Sequence, residues 1–155
     1  LFGGFLAHIG LTLLFSNKNS GARPVKYKAY NVGETSKFAS RFMLISGLIM
    51  LIFLVLHLMD FFFPYKLFGA EGDPTLYDVS VYKLSQPWRT AIYVVSMGLL
   101  AVHLSHGFRS AFQTFGLQMN ATLGKRLDMA GLVIAIVLSA GFAFIPIYFT
   151  VKSLL

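Results

Sequence analysis

Long apolar stretches without charge constrain this chain more than any other feature of its sequence. The three longest stretches together contain only one charged residue, Asp60. They are Phe42 to Phe63, Ala91 to Phe108 and Met129 to Val151. As helices rising about 1.5 Å per residue, stretches of roughly 18 to 23 residues span a hydrocarbon core of about 30 Å. Only 12% of the residues are charged, against roughly 25% in soluble domains. The sequence therefore predicts an all-α transmembrane helical bundle.

A fourth apolar stretch, Leu1 to Ser16, is also uncharged but shorter than the roughly 20 residues of a full crossing. No basic segment precedes it and no small-x-small cleavage site follows it, which argues against a signal peptide. We interpret it as the end of a helix and expect the chain to be N-terminally truncated. The prediction is a single transmembrane domain over residues 1–155, with four helices at about 1–16, 41–63, 87–115 and 127–151.

The charges in the loops predict how the helices are oriented. The loop 17–41 carries six basic residues against the single acid Glu34, whereas the loop 64–87 carries three acids against Lys66 and Lys83. By the positive-inside rule, loops 17–41 and 116–126 are cytoplasmic and loop 64–87 is outside. The net charge of +7 is thus explained by orientation, and no nucleic-acid partner is expected. Within these elements, we predict a short amphipathic segment at Tyr77 to Ser85 and a kink at Pro146.

The four histidines, His8, His57, His103 and His106, all lie within or at the edge of these apolar stretches. Ionisable side chains inside a bilayer are costly and usually face the bundle interior, where they pair, bind a metal or mark a conduction path. The chain has no cysteine, which excludes iron-sulfur ligation and covalent haem attachment. Imidazoles on three separate apolar stretches therefore point to haem iron held without covalent attachment.

Depths estimated from the helical rise divide these histidines between the two halves of the membrane. His8 lies roughly 12 Å from the cytoplasmic end of its helix, and His103 about 24 Å from the outer start of its own. Both are therefore in the inner half, where one haem could lie between them. His57 lies roughly 9 Å from the outer end of its helix and belongs to the outer half.

Small and polar residues flank the imidazoles at helical spacing, and this pattern has two interpretations. Such faces allow either a flat macrocycle or another helix to approach the backbone, and a histidine can simply form a hydrogen bond between helices. His106, beside Arg109 and Gln113, is expected to be solvated or to contact a haem propionate. The face on the helix of His103 consists of Ser96, His103, Gly107 and Ser110, and the face on the helix of His8 consists of Gly4, His8 and Thr12.

The string HLSHGFRSAFQTFGL, from His103 to Leu117, resembles the dihaem cytochrome b membrane-anchor subunit of succinate dehydrogenases and fumarate reductases. The resemblance covers nearly all of the chain. It continues through ARPVKY (Ala22 to Tyr27), SRFM (Ser40 to Met43), GLIMLIFLVLHLMDF (Gly47 to Phe61) and GFAFIPIYF (Gly141 to Phe149).

This resemblance implies five transmembrane helices in the family, of which the chain contains the second to fifth. It also implies two bis-histidine haems b, with His8 and His103 as ligands of the inner one. His57 would bind the outer haem, and its partner would lie on the absent first helix. His103 is preferred to His106 because glycine, Gly107, follows it by four residues, as in related anchors.

The resemblance further implies electron transfer between a membrane quinone, menaquinone or another, and cytoplasmic iron-sulfur and flavoprotein subunits that interconvert succinate and fumarate. The chain itself would hold no dicarboxylate active site, and it would lie in the bacterial inner membrane. Candidate partners of haem propionates or of the docking subunit are Arg23, Lys26, Arg109, Lys125 and Arg126. Candidate quinone residues form an outer set, Tyr65, Asp60 and Trp88, and an inner set, His106, Arg109 and Gln113.

Two alternatives remain open from the sequence. One is the cytochrome b subunit of another quinone-linked enzyme, such as a formate dehydrogenase or a hydrogenase. The other is a haem-free membrane scaffold or transporter that uses its histidines in helix packing or proton relay.

Overall fold

Among the residues that the structure describes, helix covers nearly all of each stretch that was predicted to cross the membrane. The computed structural model describes residues 2–21, 42–66, 74–116 and 121–155. A five-residue π-helical segment, Leu58–Phe62, follows directly after the α-helix that ends at His57. No strand occurs in these described ranges, which confirms the all-α prediction. The helices are α1 (Phe2–Gly21), α2 (Met43–His57), α3 (Phe63–Lys66), α4 (Leu76–Leu84), α5 (Pro87–Thr114) and α6 (Ala121–Leu154).

Within the described ranges, three helical rods are long and apolar enough to cross a membrane, and they correspond to three of the four predicted spans. They are Met43–Lys66, which combines α2, the π-helical segment and α3, then Pro87–Gln113 and Thr122–Leu154. The helix α1 is 20 residues long, and its passage through the membrane stays a prediction. Most of loop 17–41 and residues 117–120 lie outside the described residues, and the orientation also stays a prediction.

Two helices extend beyond their predicted ends because charge alone does not end a helix. The helix α1 continues past Ser16 to Gly21, and α6 begins at Ala121 instead of Leu127. Lys and Arg are good helix formers, so a helical turn outside the apolar zone accommodates Lys125 and Arg126. By contrast, α5 ends at the predicted place, where Gly116 adopts a φ of 71°, the left-handed conformation typical of the residue after a helix. The helix α6 runs through Pro146 without interruption, and the predicted kink there is untested.

The chain divides into two units, residues 1–35 and 36–155. The described part of the first unit is α1, an exposed helix in which Thr12 Oγ1 donates a hydrogen bond to the His8 carbonyl at 2.8 Å. The second unit contains α2 to α6, and the prediction of a single domain over the whole chain is untested.

In the second unit, small and hydroxyl residues are buried and many large apolar side chains are exposed, unlike in a water-soluble protein. Ala135, Ser46 and Ser139 are buried, whereas large apolar side chains such as Leu48 and Phe144 are exposed. Small and hydroxyl residues are favoured between membrane helices because they let backbones approach, and apolar side chains face the lipid. The burial pattern therefore supports the transmembrane bundle.

The short helix α4 is fixed at its start by a capping box. Asp78 N donates to Thr75 Oγ1, while the Thr75 N–H and hydroxyl both donate to Asp78 Oδ2, at 2.9 and 2.6 Å. These side-chain and backbone hydrogen bonds from Thr75 lower the pKa of Asp78, because they favour the ionised carboxylate. The predicted amphipathic segment at Tyr77 to Ser85 is thus a capped helix.

The end of α4 is attached to α5 and α6 by threonine hydroxyls. The Leu84 carbonyl accepts hydrogen bonds from Thr90 Oγ1 at 3.1 Å and from Thr150 Oγ1 at 2.7 Å. A helix leaves its last carbonyls without a partner inside the helix, so these two threonines satisfy one of them. Pro87 begins α5 directly afterwards, at a position where its missing N–H costs nothing.

The helices α5 and α6 approach each other closely at Gly131. A Cβ atom added to Gly131 would lie 3.0 Å from Phe108 Cδ1 and 3.2 Å from Phe108 Cβ. Phe108 Cβ is fixed to the backbone and cannot rotate away, and its ring packs at 4.9 Å from that of Phe112. The contact between α5 and α6 therefore requires glycine at this position.

We predict that Gly131→Ala lowers the thermal stability of the subunit in its detergent-solubilised complex. Overpacking of a tight contact typically costs about 1–3 kcal/mol, more than the roughly 1 kcal/mol of helix propensity that alanine gains over glycine. Gly141→Ala on the same helix is the matched control, since a Cβ there meets no atom within 4 Å. Equal melting temperatures of the two variants would contradict the proposed contact.

Candidate functional site

His57 lies in an aromatic cluster formed by α2, the π-helical segment and α5. Its ring centroid is 6.1 Å from Phe53, 5.2 Å from Phe61 and 6.0 Å from Tyr93. Phe53 and Tyr93 pack edge to face at 4.9 Å, a favourable geometry for aromatic pairs. Although His57 has these neighbours, its side chain is exposed at the surface of the second unit.

Asp60, three residues after His57, is buried at 5% exposure among cationic and hydroxyl groups. Arg89 Nη1 donates a short hydrogen bond to Asp60 Oδ1, and Lys83 Nζ lies 3.4 Å from the same oxygen. Tyr93 Oη donates to Asp60 Oδ2 at 3.1 Å. Asp60, Lys83, Arg89 and Tyr93 together are called the Asp60 cluster below.

The π-helical segment contributes to this arrangement. Asp60 lies at its centre, directly after α2 ends at His57. Segments of this kind widen the helix for one turn and occur frequently at functional sites. Here Asp60 is turned into the contact with α4 and α5 while His57 remains exposed.

The outer set of predicted quinone residues is brought together only in part. Trp88 is 56% exposed, and the Arg89 guanidinium lies 4.7 Å from its ring centroid, a cation-π distance. Tyr65 is also exposed, with Lys66 Nζ 5.6 Å from its ring centroid. Arg89 Nε is buried and has no hydrogen-bond partner within the described ranges, although buried donors normally have one.

His103 faces α2 through a hydrogen bond to Ser46. The distance between Ser46 Oγ and His103 Nδ1 is 3.0 Å. A Cβ atom on Gly47 would lie 3.3 Å from His103 Cε1, so the ring lies close to the α2 backbone. His103 itself is partly buried.

The small-residue face of α5 packs against α2 in the second unit. Ser96 is buried, and a Cβ on Gly107 would lie 3.4 Å from Met43 Cε. The sequence left two interpretations of this face open, the approach of a macrocycle or of another helix. In the second unit, the face is approached by the helix α2. The structure tests neither a macrocycle there nor the pairing of His103 with His8, because His8 belongs to the first unit.

Arg109, at the other end of α5, pairs with Asp128 on α6. Its Nη1 donates to Asp128 Oδ1 at 2.9 Å and to Oδ2 at 2.6 Å. His106 is partly buried one turn before Arg109, and Gln113 is exposed one turn after it. The predicted role of Arg109 toward a haem propionate is untested. Of the other predicted basic partners, Lys125 and Arg126 are exposed, and Arg23 and Lys26 lie outside the described residues.

One contact of His103 matches what a haem iron requires of an imidazole ligand. No group of three or more metal-ligating side chains forms in the part of the chain that the structure describes. A bis-histidine haem needs only one imidazole from each of two helices. His103 meets the usual requirement of a metal-binding histidine, that its other ring nitrogen be held by a hydrogen bond.

Sequence reasoning identified Asp60 but missed three partners, Lys83, Arg89 and Tyr93. One signal was present: a lone carboxylate within an apolar span requires a cation nearby. Arg89 and Lys83 are cations beside the start of α5, which is predicted to lie at the same membrane surface. The sequence did not show that both would reach the same oxygen.

We predict that Asp60→Asn strongly destabilises the assembled subunit, because it leaves Arg89 and Lys83 without their counter-charge. Removing one partner of a buried pair costs about 3–5 kcal/mol, and the Asp60 and Arg89 side chains are 8% and 15% exposed. The double variant Asp60→Asn/Arg89→Gln should regain part of the loss. The measurement is thermal unfolding in detergent.

Asp128→Asn is the control, since its pair with Arg109 is more exposed, at 36% and 27%. Pairs of that kind contribute about 0–1 kcal/mol. Similar losses in Asp60→Asn and Asp128→Asn would refute a special role for the Asp60 cluster.

Comparison with known families gives one match. The family model described as the succinate dehydrogenase/fumarate reductase transmembrane subunit matches residues 5–142. This range contains the four histidines and the Asp60 cluster. Neither the curated proteins nor the solved structures gave a match. Because the matched range covers most of the chain, the protein belongs to the family of transmembrane subunits of succinate dehydrogenase and fumarate reductase.

Proposed function

We propose that this subunit binds haem b and passes electrons between a membrane quinone and the iron-sulfur and flavoprotein subunits of its complex. The observation that carries the proposal is His103, an intramembrane imidazole fixed at the contact between α5 and α2 by Ser46. Membership of the family supports the association with catalytic subunits. Bound haem would supply reversible one-electron transfer within the membrane.

In this proposal His8 and His103 hold the inner haem, and His57 is a ligand of the outer one. His106 is the alternative to His103. Gly107 leaves room beside His103, and Arg109 and the other basic residues near the predicted cytoplasmic surface are available to propionates or to the partner subunit. The membrane is the bacterial cytoplasmic membrane, with loops 17–41 and 116–126 inside.

The proposed haem ligation predicts a clear spectroscopic result. The purified complex should show a haem b α-band in the dithionite-reduced minus oxidised spectrum. His103→Ala should lose one haem, His57→Ala the other, and His106→Ala neither. The readout is the haem content per assembled complex, because a haem that loses an axial ligand is expected to be lost from the complex.

Two outcomes would count against this assignment. A wild-type complex without an α-band would favour a haem-free scaffold. Loss of a haem in His106→Ala, with retention in His103→Ala, would transfer the ligand role to His106.

For the quinone, the contacts of the Asp60 cluster favour the outer set over the inner one. A quinone headgroup requires hydrogen-bond donors and groups that exchange protons. Arg89 Nε is a buried donor without a partner among the described residues, and Tyr93 links Asp60 to the ring of His57. In the inner set, Arg109 is already paired with Asp128. Oxidation of a quinol at the outer site would release two protons close to Asp60 and Tyr93.

We predict that Tyr93→Phe changes quinone kinetics without loss of haem. The variant removes one hydrogen bond to Asp60, while Arg89 and Lys83 still pair with that carboxylate. The turnover of the complex with a soluble quinone analogue should fall several-fold. Tyr148→Phe, an exposed tyrosine on α6, is the control. Unchanged kcat and KM in Tyr93→Phe would refute the outer site.

A further inference from the structure

We infer that Ser46 is the positioning residue for His103. Its hydroxyl oxygen accepts a hydrogen bond from the Nδ1–H group and thereby directs Nε2 of the ring toward iron. This inference rests on the proposed role of His103 as a haem ligand. It assigns a function to a serine of α2 that carried no prediction from the sequence.

The direction of the hydrogen bond follows from the single hydrogen of a hydroxyl. Ser46 Oγ donates that hydrogen to the carbonyl of Met43, three residues earlier, at 3.0 Å. With the hydrogen directed to that carbonyl, which can only accept, the lone pairs of Oγ face His103 Nδ1 at 3.0 Å, and we assign the ring proton to Nδ1. A neutral imidazole has one protonated nitrogen and one that can bind a metal. Ser46 therefore selects the tautomer in which Nε2 is the ligating atom.

The surroundings of Ser46 give this hydrogen bond a fixed geometry. Ser46 is 1% exposed, so water does not compete for its oxygen. Gly47 supports the ring from the next position, since a Cβ there would lie 3.3 Å from His103 Cε1. The orientation of the His103 ring is therefore fixed by contacts with α2 as well as by its own helix, α5.

A hydrogen bond from Nδ1 increases the electron density that an imidazole provides to a metal, which favours the oxidised state. Loss of the Ser46 hydroxyl should therefore shift one haem toward the reduced state. The equilibrium constant for its reduction should rise about two- to tenfold, the range that corresponds to one neutral hydrogen bond.

The test is Ser46→Ala in the assembled complex, followed by redox titration and by the low-spin ferric signal in electron paramagnetic resonance. Ser105→Ala is the matched control. Ser105 lies two residues from His103 and donates to the Val102 carbonyl at 3.0 Å, the same local bond that Ser46 makes to Met43. We expect a shifted potential and an altered signal for one haem in Ser46→Ala, and wild-type values in Ser105→Ala.

Haem retained in Ser46→Ala with wild-type potentials and signal would overturn the inference. If Ser46→Ala instead loses a haem, Ser46→Thr, which keeps the hydroxyl, should restore it. Failure of Ser46→Thr to restore the haem would also overturn the inference. The proposed function fails separately, through a wild-type complex without haem or through His103→Ala with full haem content.

Discussion

Polar side chains inside a membrane bundle usually pair within the protein, because the hydrocarbon offers no partner. Asp60 shows the consequence most clearly. Its buried carboxylate collects Arg89 and Tyr93 from α5 and Lys83 from α4, and so connects three elements at one end of the bundle. The position of α4 and the surroundings of His57 both depend on this set of contacts.

The same constraint explains the hydroxyl groups at helix contacts. Thr90 and Thr150 satisfy the last carbonyl of α4, and Ser46 satisfies His103. In each case a small hydroxyl side chain lies between two helices, where it pairs a polar group and lets the backbones approach. Leu84, Tyr93 and Met97 are buried among these polar groups, while many other large apolar side chains, such as Leu48 and Phe144, are exposed.

His57 and His103 differ in what holds them. His103 has a hydrogen-bonded nitrogen and a glycine beside its ring, whereas His57 has aromatic neighbours and an exposed face. Tyr93 contacts both residues: its hydroxyl donates a hydrogen bond to Asp60 Oδ2, and its ring centroid lies 6.0 Å from that of His57.

The sequence by itself determined the apolar helices and the unusual histidines, because hydropathy and helical spacing depend only on the order of residues. Its motifs, such as His103 to Leu117, carried the resemblance to the family. It also predicted the short segment at Tyr77 to Ser85 that is the helix α4, but not the capping box between Thr75 and Asp78 at its start. It did not predict where α1 ends or where α6 begins, because charged residues also form helix outside the apolar zone. Only the tertiary structure decided that Asp60 meets Arg89 and Lys83, that Gly131 admits Phe108 and that Ser46 reaches His103. These contacts join residues far apart in the chain, and their distances depend on how whole helices pack.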